Sequence, residues 1–364
     1  MQDKSTSAAG RLQSRRIDRI FPPGMALYPL KFVPRLVEKM WGGRKLQEVL
    51  GKPLPEGKPI GESWELYDFP PGVVEDDGNG GWVSSPVANG PLAGRTLHEL
   101  IGQYGKALHG DVALAGPHGQ FPLLLKYLDA REALSVQVHP DQEYVQANPG
   151  AHLKNEAWYI VQSDPSATLY AGLKDGVTRE QLAKAAGNGA IEKLIHTVHA
   201  REGQCLYLPS GMVHALGAGI LVAEVQTPSD TTFRIYDFGR TDPSTGRPRD
   251  LHIAQALQCI DFLKHNPIQP RSHVAGTFTT VTRLVTCEHF VVEKVRFSGG
   301  VEQPVPYDQP VLWMVLQGSA QVTVRGVDEP VTIARGDTVL LPAEMDEPVL
   351  KTVDDCVWLE ITVP

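Results

Sequence analysis

Four side chains in this sequence have the types and spacing to hold a divalent metal ion. Gln137 and His139 stand two residues apart in Leu134-Ser135-Val136-Gln137-Val138-His139-Pro140. Successive side chains of a strand point to opposite faces, so residues two apart share one face. Glu156 follows in Lys154-Asn155-Glu156-Ala157-Trp158-Tyr159, where it opens another apolar run. His214 closes the string Pro209-Ser210-Gly211-Met212-Val213-His214. One Gln, one Glu and two His supply two oxygens and two nitrogens. Such a set suits Zn²⁺ first and also takes Co²⁺, Mn²⁺ or Ni²⁺. A lone His on an apolar strand is more often a core residue; it is the combination that points to one bound divalent ion.

From Gly203 to His214 the pattern is G-x5-P-x-G-x2-H. It resembles the second motif of the cupin superfamily, whose His ligates a metal inside a small jelly-roll barrel. Residues 336–342 repeat the Gly-x5-Pro unit of residues 203–209. This second copy runs on as Ala343-Glu344-Met345-Asp346, without the Gly or the His, so only the first copy is equipped for a metal.

Short β-branched and aromatic runs bounded by turn residues must position these groups. Strands are expected over 158–161, 205–208, 220–225 and 232–236, and again over 277–285, 290–297, 311–316, 321–324, 331–334, 338–341 and 357–363. Helices are few. Thr96 with Glu99 forms a capping box before the run 97–108, and Thr178 with Gln181 opens a second helix. A third is expected over 191–198. The fold class is therefore mostly β: two cupin jelly-roll barrels with a small helical insert. Residues 1–24 read as a mobile tail and 25–265 as the metal-binding cupin, with its insert at about 95–110 and 178–199. The segment 264–271 reads as a linker, and 266–364 as a degenerate cupin. Residues 70–81, rich in Pro, Gly and Asp, read as a surface loop.

The order and spacing of several motifs resemble type I phosphomannose isomerases in their short bacterial form. The motifs are Gly61-Glu62-Ser63-Trp64-Glu65, Leu123-Leu124-Leu125-Lys126, Ser135 to Pro140, Lys154-Asn155-Glu156, Pro209 to His214, and Glu224 to Arg234. They span about residues 41–240; the C-terminal third matches only as a degenerate cupin. The resemblance implies a metal-dependent isomerase interconverting mannose 6-phosphate and fructose 6-phosphate. It places the metal on Gln137, His139, Glu156 and His214, with Gln137 the member the short form often leaves out of the tight set. It makes Arg234 the catalytic arginine. Lys126, Ser135 and Lys154 would line the sugar-phosphate site, and Arg240 sits where many relatives carry a basic residue.

Aldose–ketose isomerisation moves a proton between C1 and C2 through an enediol, so a base is required. Glu224 is a candidate, and a salt-bridge partner for Arg234 is its other reading. An arginine is too basic for proton transfer, so Arg234 would bind phosphate or steady the enediolate. Two rival functions keep the fold: a non-catalytic sugar-phosphate-binding cupin, and another cupin sugar isomerase or epimerase.

Composition sets the outer limits. The chain has 364 residues, 42 % apolar and 21 % charged, with formal charge −8. That is globular, and too acidic for a general nucleic-acid grip. No run of 18 apolar residues offers a membrane span. Arg15-Arg16 is not followed by an apolar stretch, so no export signal is read, and four scattered cysteines fit a reduced cytoplasmic protein. The resemblance implies a small sugar phosphate as partner, and composition leads us to expect no nucleic acid and no membrane; monomer and dimer both fit. His196 and His199 stand at helical spacing but lack further ligands. Trp41-Gly42-Gly43 reads as a turn against the barrel, and Gly61-Glu62-Ser63-Trp64 as support for the site with Trp64 in the core.

Overall fold

The computed structural model describes residues 26–75, 81–242, 245–263 and 266–364. The expected tail at 1–24, part of the loop 70–81 and the start of the linker 264–271 lie outside the described residues. What is described is mostly β, in antiparallel sheets, with few helices.

A six-stranded sheet runs, in spatial order, through Cys205–Leu208, Glu156–Ser163, Ile220–Gln226, Leu124–Ala130, Arg35–Gly43 and Ile60–Leu66. A five-stranded sheet runs through Ile195–His199, Thr168–Leu173, His214–Ala215, Val136–Val138 and Phe233–Tyr236. The two sheets face each other, because Leu128, Trp158, Leu206 and Val222 of the first share one cluster with Leu169 and Ala171 of the second. In the C-terminal part a seven-stranded sheet faces a four-stranded one, and Trp313, Trp358, Ala320 and Ile333 meet between them.

Over three of its strands the six-stranded sheet has no solvent face. Its outer residues Tyr127, Tyr159, Leu221 and Val225 pack with Leu284, Phe290 and Val292 of the C-terminal sheet and with Leu97 and Leu100 of helix Leu97–Tyr104. Strands covered on both faces read as unbroken burial, and every residue of Ile60–Leu66, Leu124–Ala130 and Ile220–Gln226 is buried. The outer face of the five-stranded sheet, Val136, Val213 and Ile235 among others, lies under helices Arg179–Ala185 and Ile253–Cys259. The second of these helices has no sequence signal in the analysis above.

Both capping boxes form as expected, at Thr96 with Glu99 and Thr178 with Gln181. The run 97–108 divides at Gly105 into helices Leu97–Tyr104 and Lys106–His109. The helix expected over 191–198 is not one. A 3-10 turn at Gly189–Leu194 leads into strand Ile195–His199, which pairs with Thr168–Leu173. The β-branched Ile195, Thr197 and Val198 fit a pleated edge better than a helix. On a strand His196 and His199 point to opposite faces, so no shared site exists there. The expected turn at Trp41-Gly42-Gly43 is instead the end of strand Arg35–Gly43, where a Cβ on Gly42 would lie 2.5 Å from the Gly61 nitrogen.

The repeated Gly-x5-Pro strings make the same local structure. Gly203 (φ 78°) and Gly336 (φ 89°) each take the left-handed turn that admits strands Cys205–Leu208 and Thr338–Leu341. Leu30–Lys31, at the start of the described chain, does not join the sheets that follow it. It pairs with Thr338–Leu341 as the edge of the seven-stranded sheet.

Phe290 is fully buried and meets the ring of Tyr207 edge-on at 6.4 Å, across the two halves. Phe290→Ala should cost about 3–5 kcal/mol, read as a lower urea midpoint. A loss below about 1 kcal/mol would mean that the halves share no common core.

Candidate active site

The pleat of the two facing sheets aims polar side chains into the space between them. In the five-stranded sheet His214, Gln137 and Arg234 stand opposite one another on three neighbouring strands. In the six-stranded sheet Trp158, Glu224, Lys126 and Trp64 form a second row across four strands. Glu156 lies two residues before Trp158 and so shares its face.

His139, Glu156 and His214 converge, with ligand atoms all within 4.8 Å of one another and all three side chains buried. His214 Nε2 lies 3.0 Å from Glu156 Oε1, and His139 Nε2 lies 3.4 Å from Oε2. Each ring is turned by its other nitrogen: His139 Nδ1 is 3.1 Å from the Thr231 carbonyl and His214 Nδ1 is 2.8 Å from that of Met212. Those bonds assign the protons to Nδ1 and leave both Nε2 lone pairs facing the carboxylate. Burial, then Lys154, holds His139 down to about 3, so a proton does not fill the gap. Burial alone would raise Glu156, but Lys154, 3.0 Å from Oε2, and the histidines bring it well below the usual range. His139 Nε2 and both Glu156 oxygens lack a hydrogen-bond partner. Two imidazole lone pairs and a bare carboxylate, buried together, fit a divalent cation.

Gln137 joins this group through its amide nitrogen, 3.3 Å from His214 Nε2, while Ser135 Oγ donates to its oxygen at 3.3 Å. Half a turn of the amide would exchange the two atoms.

Beside the triad lies an acid–base cluster. Trp158 Nε1 donates to Glu224 Oε1 at 2.8 Å. Lys126 Nζ is 3.8 Å from Glu224 Oε2, 3.4 Å from Glu62 Oε2 and 4.7 Å from the centre of the Trp64 ring. Burial, then the Glu156 charge, pushes Glu224 up to about 7. Glu62 behaves in the opposite way. Burial favours its neutral form, but Lys126 and Lys39 outweigh that and keep it a carboxylate. Burial also works against the Lys126 charge, yet Glu62 and Glu224 hold it above its ordinary range.

The expected site residues thus divide. Gln137, His139, Glu156, His214, Lys154 and Ser135 come together, and Glu224 with Lys126 stands alongside. Glu224 is not paired with Arg234; its neighbours are Trp158 and Lys126. Arg234 extends the His214–Gln137 row, and its Nη1 donates to the Asp250 carbonyl at 2.8 Å. Arg240 is bound to its own surroundings, through Nε and Nη2 to Asp237 and through Nη1 to the Ala133 carbonyl. Glu62 and Trp158 are absent from the sequence reading as functional residues. Both were open to the period-two rule, since Glu62 precedes Trp64 and Trp158 follows Glu156 by two. Trp64 is buried as expected, and it also forms a wall for Lys126.

Comparison with known proteins agrees with this arrangement. The family described as phosphomannose isomerase type I, catalytic domain, matches residues 30–166. The chain is 35 % identical over 317 residues to the mannose-6-phosphate isomerase of Streptococcus mutans, covering 86 % of this chain and 92 % of that one. It is 33 % identical to mannose-6-phosphate isomerase ManA of Bacillus subtilis, covering 92 % and 99 %. The crystal structure of a mannose 6-phosphate isomerase from Bacillus subtilis superposes with a TM-score of 0.79 at 31 % identity, covering 92 % of this chain and 99 % of that one.

The donor set predicts about one divalent ion per chain. Glu156→Ala and His214→Ala should each lower the metal content found by elemental analysis after dialysis. The circular dichroism spectrum should persist, because the sheets have a core of their own. Full metal content in both variants would show that the ion is held elsewhere.

Proposed function

The chain belongs to the type I phosphomannose isomerase family, and from that premise we propose that it interconverts mannose 6-phosphate and fructose 6-phosphate as a metal-dependent aldose–ketose isomerase. The observation that carries this reading is a dry His–Glu–His triad set beside a carboxyl group poised near neutrality. His139, Glu156 and His214 would hold the ion, with Gln137 as an added oxygen donor, and Zn²⁺ is the ion this set fits best. When bound, the ion supplies a Lewis-acid charge for the substrate carbonyl region.

The remaining work falls to side chains of this chain. Burial, then the charge of Glu156, raises Glu224 toward neutrality, which suits a group that takes a proton from one carbon and returns it to the next. Trp158 fixes one of its oxygens. Lys126 presents a buried cation beside the other. Arg234 is too basic to share in proton transfer and serves as the planar anion-binding fork. Lys154 and Ser135 orient the groups that face the substrate. Burial of the site keeps water from an enediolate.

Among the described residues no helix is long and apolar enough to cross a membrane. The partner is a small sugar phosphate, and we place the activity in the cytoplasm.

Purified protein given mannose 6-phosphate in an assay coupled to fructose 6-phosphate consumption should turn over, and a strong chelator should abolish the rate. Absence of turnover in metal-loaded protein would refute the reading. Glu224→Gln should keep its metal and lose about 10²–10⁴ in kcat; a loss below about threefold would remove Glu224 from proton transfer. Arg234→Ala should also keep its metal and melt normally, yet lose about 10²–10³ in kcat/KM, roughly 3–4 kcal/mol. If it loses the metal instead, Arg234 is a structural residue.

A further inference from the structure

We propose that Arg249 is a further anion-binding residue of this active site, and that Asp237 is the positioning residue that holds it there. The proposal rests on the sugar-phosphate reading above and extends it to residues outside the motifs that suggested it.

Beyond strand Phe233–Tyr236 the chain turns through Asp237-Phe238-Gly239-Arg240. Asp237 is 6 % exposed. Its carboxylate accepts from Arg249 Nε at 2.8 Å and from Arg249 Nη2, and it also accepts from Arg240 Nη2. One acid therefore holds two guanidinium groups, and positive charge is left over. Arg240 is further tied to the Ala133 and Asp237 carbonyls, so it acts on a ligand mainly through its field. Arg249 is bound only along the Nε–Nη2 edge of its fork in these contacts. It lines an open cavity of about 620 Å³ with Arg234, Arg247, His252, Asp242 and Asp250.

One feature points directly to a ligand. Arg234 Nε is buried without a hydrogen-bond partner, beside Arg249 and Arg240. A half-buried guanidinium with two arginines as well as Asp237 and Asp250 around it gains from an anion with several acceptor oxygens, and a phosphate monoester supplies three. The turn itself is shaped by Phe238, whose φ of 54° is left-handed for a bulky residue. Such strain, on the order of 1–3 kcal/mol, persists only where the surroundings over-determine it. Here it folds the turn so that Arg240 returns onto Asp237 and its guanidinium lies 5.7 Å from the centre of the Phe238 ring.

The cluster is also at a suitable distance. Arg234 stands two strands from His214 in one sheet, a separation of about 10 Å. A hexose 6-phosphate with C1 and C2 at the triad would carry its phosphate toward these arginines.

Arg249→Gln should weaken binding of inorganic phosphate by about tenfold or more, equal to about 1.4 kcal/mol, measured by titration calorimetry. It should raise KM for mannose 6-phosphate by a similar factor, with kcat within about threefold of the parent. Asp237→Asn should move both readouts the same way, and adding Arg249→Gln to it should change little more. Arg296→Gln, at an exposed position in the C-terminal sheet, serves as the control. Unchanged phosphate affinity and KM in folded Arg249→Gln would overturn the proposal. A collapse of kcat at constant KM would also overturn it, since an anchor acts on binding. Should Asp237→Asn fail to fold, Arg249→Gln alone decides. The phosphate titration needs no turnover, so a failure of the isomerase reading is seen separately from a failure of this one.

Discussion

A carboxylate with no solvent access faces two imidazole lone pairs, and the architecture of the first half follows from keeping that arrangement folded. An ionised group buried in an apolar shell must be paired or must bind a cation. Glu156 has one lysine at 3.0 Å and otherwise only acceptors around it. The same requirement recurs two strands away, where Lys126 is balanced by Glu62 and Glu224. Each charge sits on the inward side of its strand. On the strands of Glu156 and Glu224 the usual order is thus reversed: the polar side lies inside the molecule, and the apolar side packs against a further layer.

The two sheets divide the polar groups between them. The five-stranded sheet carries His214, Gln137 and Arg234. The six-stranded sheet carries Glu156, Glu224 and Lys126. Facing sheets lie about 10 Å apart, so the proposed sugar phosphate would meet both sets at once. The asymmetry of covering fits this division. Helices overlie the first sheet, while the second is backed by an entire further sandwich.

Much of this was legible in the residues. The convergence of Gln137, His139, Glu156 and His214 could be read because a two-residue spacing on a strand fixes a face, and because G-x5-P-x-G-x2-H forms a turn, a strand and an inward His in order. The mostly β class followed from many short β-branched runs. The failures are local and physical. Residues 195–199 offered both a helical His spacing and a β-branched composition, and pairing with a neighbouring strand decided between them. Glu62 stood in a motif read as support because nothing in one sequence places it opposite Lys126's strand. Asp237 and Arg249 are twelve residues apart across a turn, and only the folded chain brings that acid to that base. Helix Ile253–Cys259 lacks a capping residue that bonds its first turn, so the usual entry signal was missing.

Strand Leu30–Lys31 closes the edge of a sheet whose other strands all lie beyond residue 270. Its partners Leu340 and Val339 lie more than 300 residues further along the chain. In a chain made from its N-terminus onward, the strand must therefore wait, unpaired, until those residues have been added. Contacts of such sequence separation form late and slowly. Until they form, the apolar back of the six-stranded sheet is also uncovered and open to wrong association. The order of translation thus lengthens the vulnerable interval of this protein and ties the covering of the six-stranded sheet to completion of the C-terminal one.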